Sequence, residues 1–421
     1  MCSFCFVFDR HIVIRPHWLH RSKEHSVGFQ ARLPSFSDKN HPHTPVIFFV
    51  NENSGGQYGK KIYRQLLRKL NPRQVFLLKD DTTIVNALNI YSSLPNLRIC
   101  ALGGDGTAAW IVGRLAEVYR SNQNPPMTVY PLGTANDLSL ILSWGTRYEA
   151  KKLFSLLIRI PQAQLISVDR WKVHIEQLDA ASLSSSASQS SVSTGSKMSR
   201  PFKRLLDPPK FVRENDRVSY QNHRDLPNTY FINYMSFGLD AAIALEFHNE
   251  RLQDPLKFSS PLKNKLMYFN QSCKYLNDFS RSKMWSLHSY IRLICDDKDL
   301  TDAIRYCHTL LFLNIPAYAS GTNPWGNSST DAATTSDRFV QQDFSDGMIE
   351  VVGLSATRMA SLQIGFHGNR LAQCRRVRLE LNSSMTAQMD GEPFYLSDSI
   401  AVNITYAGQG LVLRNETNMD L

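Results

Sequence analysis

The sequence predicts an α/β fold in two parts, an N-terminal α/β domain followed by a C-terminal β-rich domain. Three observations carry this. Val46-Ile47-Phe48-Phe49-Val50 is a continuous apolar run, the mark of a strand buried on both faces of a parallel sheet. Glycine and small polar residues follow such runs three times, at Asn51 to Gly59, Gly103 to Thr107 and Pro131 to Asp137, each before a helical pattern. Beyond about residue 150 the alternation gives way to longer β-like runs. In an alternating β/α chain the loops at the carboxyl ends of parallel strands converge on one edge, where ligands bind.

Residues 1–44 are rich in His, Arg and Ser without a periodic pattern and read as an irregular arm. From 45 to 150 the strands are Val46 to Val50, Val75 to Leu78, Leu97 to Leu102 and Met127 to Tyr130. The helices between them are Lys60 to Leu70, with Ile62, Leu66, Leu67 and Leu70 on one face, then Ile84 to Tyr91 and Ala108 to Tyr119. Residues 151–410 hold β-like runs at Leu165 to Ile175, Thr229 to Met235, Ser289 to Cys295, Leu310 to Ile315, Met348 to Val352 and Arg376 to Leu381. Two stretches among them, Asp240 to Arg251 and Leu262 to Phe279, read as helical, and residues 180–226 read as a Ser-rich surface insertion. Residues 411–421 form a tail.

With 43% hydrophobic and 20% charged residues the chain is globular rather than disordered. A net charge of +10 and a pI near 9.2 favour anionic partners: nucleotide phosphates, an anionic leaflet or nucleic acid. No RNP, zinc-finger or stacking signature supports nucleic acid. Seven scattered cysteines predict reduced thiols, and the lone Cys2-x-x-Cys5 has too few ligands for zinc. No apolar run reaches the ~18 residues that span a bilayer, which predicts a soluble, intracellular protein.

The chemistry centres on Gly103-Gly104-Asp105-Gly106-Thr107. Its glycines let the backbone approach a ligand closely, and the amides at the following helix N-terminus supply partial positive charge for a phosphate. Asp105 stands where a carboxylate could hold the Mg²⁺ of a nucleotide. The alternative is a tight turn whose glycines serve packing. A P-loop is excluded because Ser54 replaces the first glycine of its pattern and Lys61 replaces the Mg²⁺-binding hydroxyl. No G-x-G-x-x-G with a downstream acid supports a dinucleotide fold.

Asn51-x-x-Ser54-Gly55-Gly56, Gly103-Gly104-Asp105-Gly106-Thr107 and Pro131-Leu132-Gly133-Thr134-x-Asn136-Asp137-Leu138 together resemble the catalytic domain of diacylglycerol kinases. Asp169-Arg170-Trp171, Asn233 to Ala241, Lys263-Asn264-Lys265, Gly321 to Gly326 and Asp390-Gly391-Glu392-Pro393 resemble that family's accessory domain in the same order. Asn71 to Phe76, Leu245 to His248 and Arg370 to Arg375 look most like the zeta and iota members. Ala135 departs from the family's usual glycine, and the paired C1 domains and ankyrin repeats expected of those members are absent from the sequence.

The resemblance implies a two-domain lipid-kinase fold that transfers the ATP γ-phosphate to diacylglycerol in membranes, giving phosphatidic acid. It implies ATP and Mg²⁺ as cofactors, with Asn51, Ser54, Gly55, Gly56, Gly103, Gly104, Gly106, Thr107, Gly133, Thr134, Asn136 and Asp137 around the nucleotide. Asp105 is implied as a catalytic, metal-holding carboxylate and Glu392 as the base for the lipid hydroxyl, with a turn cap as the alternative for Glu392. Asp343 and Asp346 resemble a structural Mg²⁺ site, with a metal-free Asp-Gly turn as the alternative. The expected location is cytoplasmic and peripheral, at the plasma membrane, within G protein-coupled receptor signalling. Basic clusters at Lys60, Lys61, Arg64, Arg68 and Lys69, at Lys197, Arg200, Lys203 and Arg204, and at Arg375, Arg376 and Arg378 would face anionic lipid. A sphingosine or ceramide kinase, an NAD kinase and a non-catalytic lipid-binding scaffold are the competing readings.

Overall fold

Four apolar strands, Val46–Val50, Val75–Leu77, Arg98–Gly103 and Met127–Pro131, form the parallel sheet that the repeated strand, loop and helix pattern predicts. The computed structural model describes residues 11–23, 28–33, 43–178, 226–253, 287–326 and 339–416. The Cys2-x-x-Cys5 pair, nearly all of the Ser-rich insertion, the Lys197 to Arg204 cluster, the Leu262 to Phe279 helix with Lys263-Asn264-Lys265, and residues 417–421 lie outside the described residues. Two compact units emerge, one of residues up to Val168 together with Gln409 onward, the other running from Asp169 to Gly408 apart from a short undescribed piece. The unit boundary therefore falls at Val168/Asp169 rather than at residue 150. The chain's return at Gln409 makes 411–414 the end of a long strand, Ile400–Arg414, instead of a tail.

In the first unit the spatial order of the four strands is second, first, third, fourth in chain order. The order reverses between Val46–Val50 and Arg98–Gly103, and ligands of open α/β sheets bind at such a switch point. Both strands are almost wholly buried, as their unbroken apolar runs require. Val412 extends the sheet by pairing in parallel with Met127. Helix Ser54–Leu67 starts six residues earlier than the periodicity suggests, so Ser54, Gly55 and Gly56 belong to its first turn. Helix Asp105–Val118 likewise begins at Asp105 rather than Ala108, and Asp80 caps helix Asp81–Tyr91 by accepting the Thr83 amide at 3.0 Å.

The arm is not irregular throughout. Leu19–Arg21 pairs antiparallel with Phe29–Ala31, and Ile12, Ile14, Trp18 and Ala31 are buried. Gln74 locks Ile12 to Ile14 down: its Oε1 accepts the Ile14 amide at 2.8 Å, and its Nε2 donates to the carbonyls of Ile12 and Val46. Lack of periodicity hid these elements because three-residue strands are too short to show one.

The second unit is β-rich. Six strands run antiparallel in the order Asn369–Cys374, Ile349–Leu354, Thr309–Leu313, Tyr234–Gly238, Met385–Met389, Glu392–Leu396. Lys298–Asp299, Ile291–Cys295, Arg376–Leu381 and residues 400–405 form a second antiparallel set. Phe237, Phe312 and Val351 from the first set share one apolar core with Leu293, Leu379 and Val402 from the second. Arg376–Leu381 alternates buried and less buried residues, while the six-stranded sheet is buried on both faces. Tyr318, Trp325 and Leu362 close its other face around Tyr234, Leu311 and Leu313. Cys100, Cys295, Cys307 and Cys374 are buried free thiols. Among the described residues no helix is long and apolar enough to cross a membrane.

Candidate active site

Three loops at the carboxyl ends of neighbouring parallel strands are tied together in the first unit. Asn51, leaving Val46–Val50, donates its amide to the Leu102 carbonyl and its Nδ2 to Thr107 Oγ1, both at 3.0 Å. Gly59 lets the following helix lie against that strand end, since a Cβ there would stand 2.1 Å from the Asn51 oxygen. Leu132 donates to the Gly103 carbonyl at 2.8 Å, bringing the third loop onto the second. At the crossing two glycines meet backbone to backbone: a Cβ on Gly104 would lie 2.8 Å from Gly133 Cα, and one on Gly133 2.5 Å from Gly104 Cα. A Cβ on Gly103 would strike the Thr107 side chain. Gly103, Gly104 and Gly133 do not use the left-handed region, so it is the missing Cβ that matters at these positions.

Asp105 secures the same junction by charge. Buried to 9% exposure, it accepts the Asp137 amide on Oδ2 and the Leu138 amide on Oδ1, both at 3.0 Å. Asn136 takes the left-handed conformation at φ 57, and its side chain accepts from Gly133 N while donating to the carbonyls of Gly133 and Thr146. Ala135 beside it is not left-handed, so an alanine fits without strain. The first intrahelical bond of Asp105–Val118 is Ala108 N to the Gly104 carbonyl at 3.1 Å. The amides of the first turn, at Asp105, Gly106 and Thr107, therefore precede the intrahelical ladder, the arrangement that receives a phosphate. Asn51, Gly103, Gly104, Asp105, Thr107, Gly133, Asn136 and Asp137 are thus brought together, with Ser54, Gly55 and Gly56 in the helix that follows Asn51 and Gly106 and Thr134 inside the two glycine loops.

In the second unit Asp390 and Gly391 are the two central residues of the hairpin joining Met385–Met389 to Glu392–Leu396, at φ 48 and 85. Both are left-handed, as a two-residue hairpin loop with the twist of its strands demands. The Asp390 carboxylate is buried and accepts three consecutive amides, from Ile232 on Oδ2 and from Asn233 and Tyr234 on Oδ1, at 2.8–3.1 Å. This accounts for the break between Tyr230–Phe231 and Tyr234–Gly238, which the sequence reads as one run. Glu392 opens the next strand as an exposed residue, directly after the left-handed pair Asp390 and Gly391. Asn314 bonds Trp171 Nε1 and the carbonyls of Asp169 and Ile232, linking two motifs of the sequence.

Asp343 and Asp346 each close their own turn: Asp343 Oδ1 accepts Ser345 N and Oγ, and Asp346 Oδ1 accepts Met348 N. Asp169 takes the amide of Gly347, the residue after Asp346, at 2.6 Å. Burial and the nearby Asp343 raise the Asp346 carboxyl above its usual range. Both Asp105 oxygens are likewise engaged, and among the described residues no group of three or more His, Cys, Asp or Glu side chains is placed to hold a cation.

Sequence reasoning missed Asp240, buried and accepting from Ser236, Tyr318 and Gln388 on one oxygen. Burial raises its carboxyl. Its donors lie far apart in the chain, so no spacing signals it. The hairpin turn at Asp390 did carry a signal, an Asp-Gly pair between apolar runs.

Residues 45–169 match the diacylglycerol kinase catalytic domain and residues 230–393 the diacylglycerol kinase accessory domain. The chain is 36% identical over 377 residues to diacylglycerol kinase iota of Homo sapiens, covering 89% of this chain and 31% of that protein. It is 36% identical over 357 residues to human diacylglycerol kinase zeta, with 84% and 34% covered. The eye-specific diacylglycerol kinase of Drosophila melanogaster is 34% identical over 372 residues. The chain spans about a third of the length of the iota and zeta proteins. A solved putative diacylglycerol kinase from Bacillus anthracis str. Sterne superposes with a TM-score of 0.49 at 11% identity, covering 89% of this chain and 99% of that one.

Proposed function

The chain belongs to the diacylglycerol kinase family, and from that premise we propose that it phosphorylates the free hydroxyl of 1,2-diacylglycerol with ATP to give phosphatidic acid. The observation that carries this reading is the junction of the glycine loops at the switch point of the parallel sheet. Gly104 lies against Gly133, and Asp105 gathers the amides of the third loop. Phosphoryl transfer asks the protein chiefly for positioning and charge stabilisation. First-turn amides of Asp105–Val118 and the Cβ-free backbone around Gly104 suit the ATP phosphates, and Asn51, Thr107 and Asn136 hold those loops in register. Mg²⁺ would come with the nucleotide, held by phosphate oxygens, water and the Asp105 carboxylate, and would neutralise the phosphate charge.

Glu392 is our choice for the general base, its exposed carboxylate taking the proton of the lipid hydroxyl. The hydroxyl oxygen forms the new bond to the γ-phosphorus as the bond to the ADP oxygen breaks. Ala135 is one of the two departures behind the scaffold alternative, and its backbone conformation is an ordinary one for alanine. Acting peripherally on the plasma membrane, the protein would attenuate diacylglycerol signalling downstream of G protein-coupled receptors.

The test is a radiolabelled-ATP assay on mixed diacylglycerol micelles, with sphingosine, ceramide and NAD as parallel acceptors. Label in phosphatidic acid alone is the expected result. Label in another acceptor, or nucleotide binding with no transfer, would overturn the reading.

A further inference from the structure

Strand Gln164–Gln177 has two sides of opposite character where it runs through the second unit. Alternate residues of a strand point to opposite sides, so Trp171, Val173 and Ile175 join the apolar core while Arg170, Lys172 and His174 share the other side. Lys172 and His174 are exposed, but Arg170 is only 3% exposed. Its Nε and Nη1 are sealed from solvent with no hydrogen-bond partner. A guanidinium in that state is costly, because burial strips its hydration and nothing replaces it.

Among the described residues no acid answers it with an ion pair. The neighbouring Asp169 points to the opposite side of the strand, where its Oδ2 accepts the Gly347 amide. Glu176, farther along the side that holds Arg170, is engaged by Arg378 and Asn403. Burial lowers the Arg170 guanidinium below the ordinary arginine range, with the Tyr230 and Tyr406 hydroxyls opposing the shift. The charge is thus placed on purpose and left for something outside the fold to neutralise.

The groups around Arg170 select the anion. Tyr230 stands directly across from Lys172 in the antiparallel pair of their strands, and so on the same side as Arg170. Arg170 and Lys172, two places apart on one strand, have their Cα atoms about 6.5 Å from each other. Two cations with a phenol hydroxyl beside them offer more than one carboxylate can use. A phosphomonoester carries between one and two negative charges at neutral pH and three acceptor oxygens, enough to meet the guanidinium fork, the ammonium and the hydroxyl together.

We propose that Arg170, Lys172 and Tyr230 form a phosphomonoester-binding site in the second unit, built from residues other than those of the glycine loops. The phosphate is that of a lipid headgroup such as phosphatidic acid, or free phosphate. The site does not depend on the kinase reading, because it rests on the unanswered guanidinium. Calorimetric titration of the full chain, without nucleotide, uses dioctanoyl phosphatidic acid below its micellar concentration and inorganic phosphate as probes. Each is run in wild type and in a Gly104→Asp background, where the glycine loops no longer take phosphate. In both, Arg170→Met should weaken binding at least about tenfold through loss of a charge-assisted pair, and Lys172→Gln about threefold. Dioctanoylglycerol, which has no phosphate, should show no dependence on Arg170. Tighter binding of phosphatidic acid than of inorganic phosphate by about tenfold or more identifies the lipid headgroup as the source, and near-equal affinities identify free phosphate.

Thermal melts separate a ligand site from a structural arginine. In phosphate-free buffer Arg170→Met should melt no lower than wild type, since a buried charge without a partner gives way to an apolar side chain. Saturating dioctanoyl phosphatidic acid should raise the wild-type melting temperature and leave that of Arg170→Met where it was. Unchanged affinity of Arg170→Met for both probes would overturn the site, as would acetate binding as tightly as phosphate through Arg170. So would a clear fall in the melting temperature of Arg170→Met in phosphate-free buffer, which would mean the guanidinium is already satisfied within the fold. A chain that is inactive on diacylglycerol yet keeps its Arg170-dependent binding would strike the kinase reading alone.

Discussion

Each unit holds its motif together with a buried aspartate that collects backbone amides, yet the glycines beside the two aspartates do different work. Asp105 takes two amides from the third loop, and Gly104 next to it is needed because another backbone passes where its Cβ would be. Asp390 takes three amides, and Gly391 next to it is needed because the hairpin turn is left-handed, with only Tyr234 Oη, at 3.9 Å, near its Cβ direction. One Asp-Gly pair is built for closeness between segments and the other for the handedness of one segment. Substitutions at the first site should therefore disturb the geometry between loops, and those at the second should mainly cost stability.

The largest expected effect is at the crossing. Gly104→Asp puts side-chain atoms into the Gly133 backbone and a negative charge beside the phosphate site, so ATP binding and diacylglycerol turnover should both fall below a tenth of wild type. Nucleotide titration and the micelle assay check it, and activity above that level would mean the loops do not cradle phosphate. Glu392→Gln comes next. Loss of a general base should lower turnover by about 10²–10⁴-fold with ATP affinity held. A silent variant removes the base, whereas a joint loss of affinity and turnover would assign Glu392 to the nucleotide.

Asp390→Asn sharpens the contrast through stability. One amide-accepting oxygen becomes an NH₂ that faces backbone N–H groups, at a cost of about 2–3 kcal/mol. Urea denaturation measures it, and a loss under half of that would mean the three amides find other partners. Glu350 gives a pH signature in the same unit. Burial pushes its carboxyl up to about 8, so between about pH 4.5 and 8 the folded state holds a proton that the unfolded chain has released. Stability from this group is full below that window and is lost as pH rises through it. Glu350→Gln, which can still accept from Gln373, should flatten that decline in thermal melts, and an unchanged slope would exclude Glu350 as its source. Ala135→Gly should be the mildest change, within about twofold in turnover and destabilising by under about 1 kcal/mol through added unfolded-state freedom. A tenfold gain in turnover would show that the alanine compromises the loop.

What the chain determined by itself was local. Continuous apolar runs marked the parallel strands, and glycine clusters after them marked the loops at one sheet edge, because burial on both faces and the absence of Cβ atoms are written residue by residue. The Asp-Gly pair at 390 and 391 carried its turn type in two letters. Tertiary structure alone decided which glycine faces which backbone, since Gly104 meets a residue from the next strand's loop. It also decided that Asp105 and Asp390 anchor amides from other segments, and that Ser54 to Gly56 are helix rather than loop. Asp240 shows the limit most plainly. A carboxylate whose partners are Ser236, Tyr318 and Gln388 has no pattern in sequence, because hydrogen bonds across a sheet depend on register, which is set by the packing of whole strands.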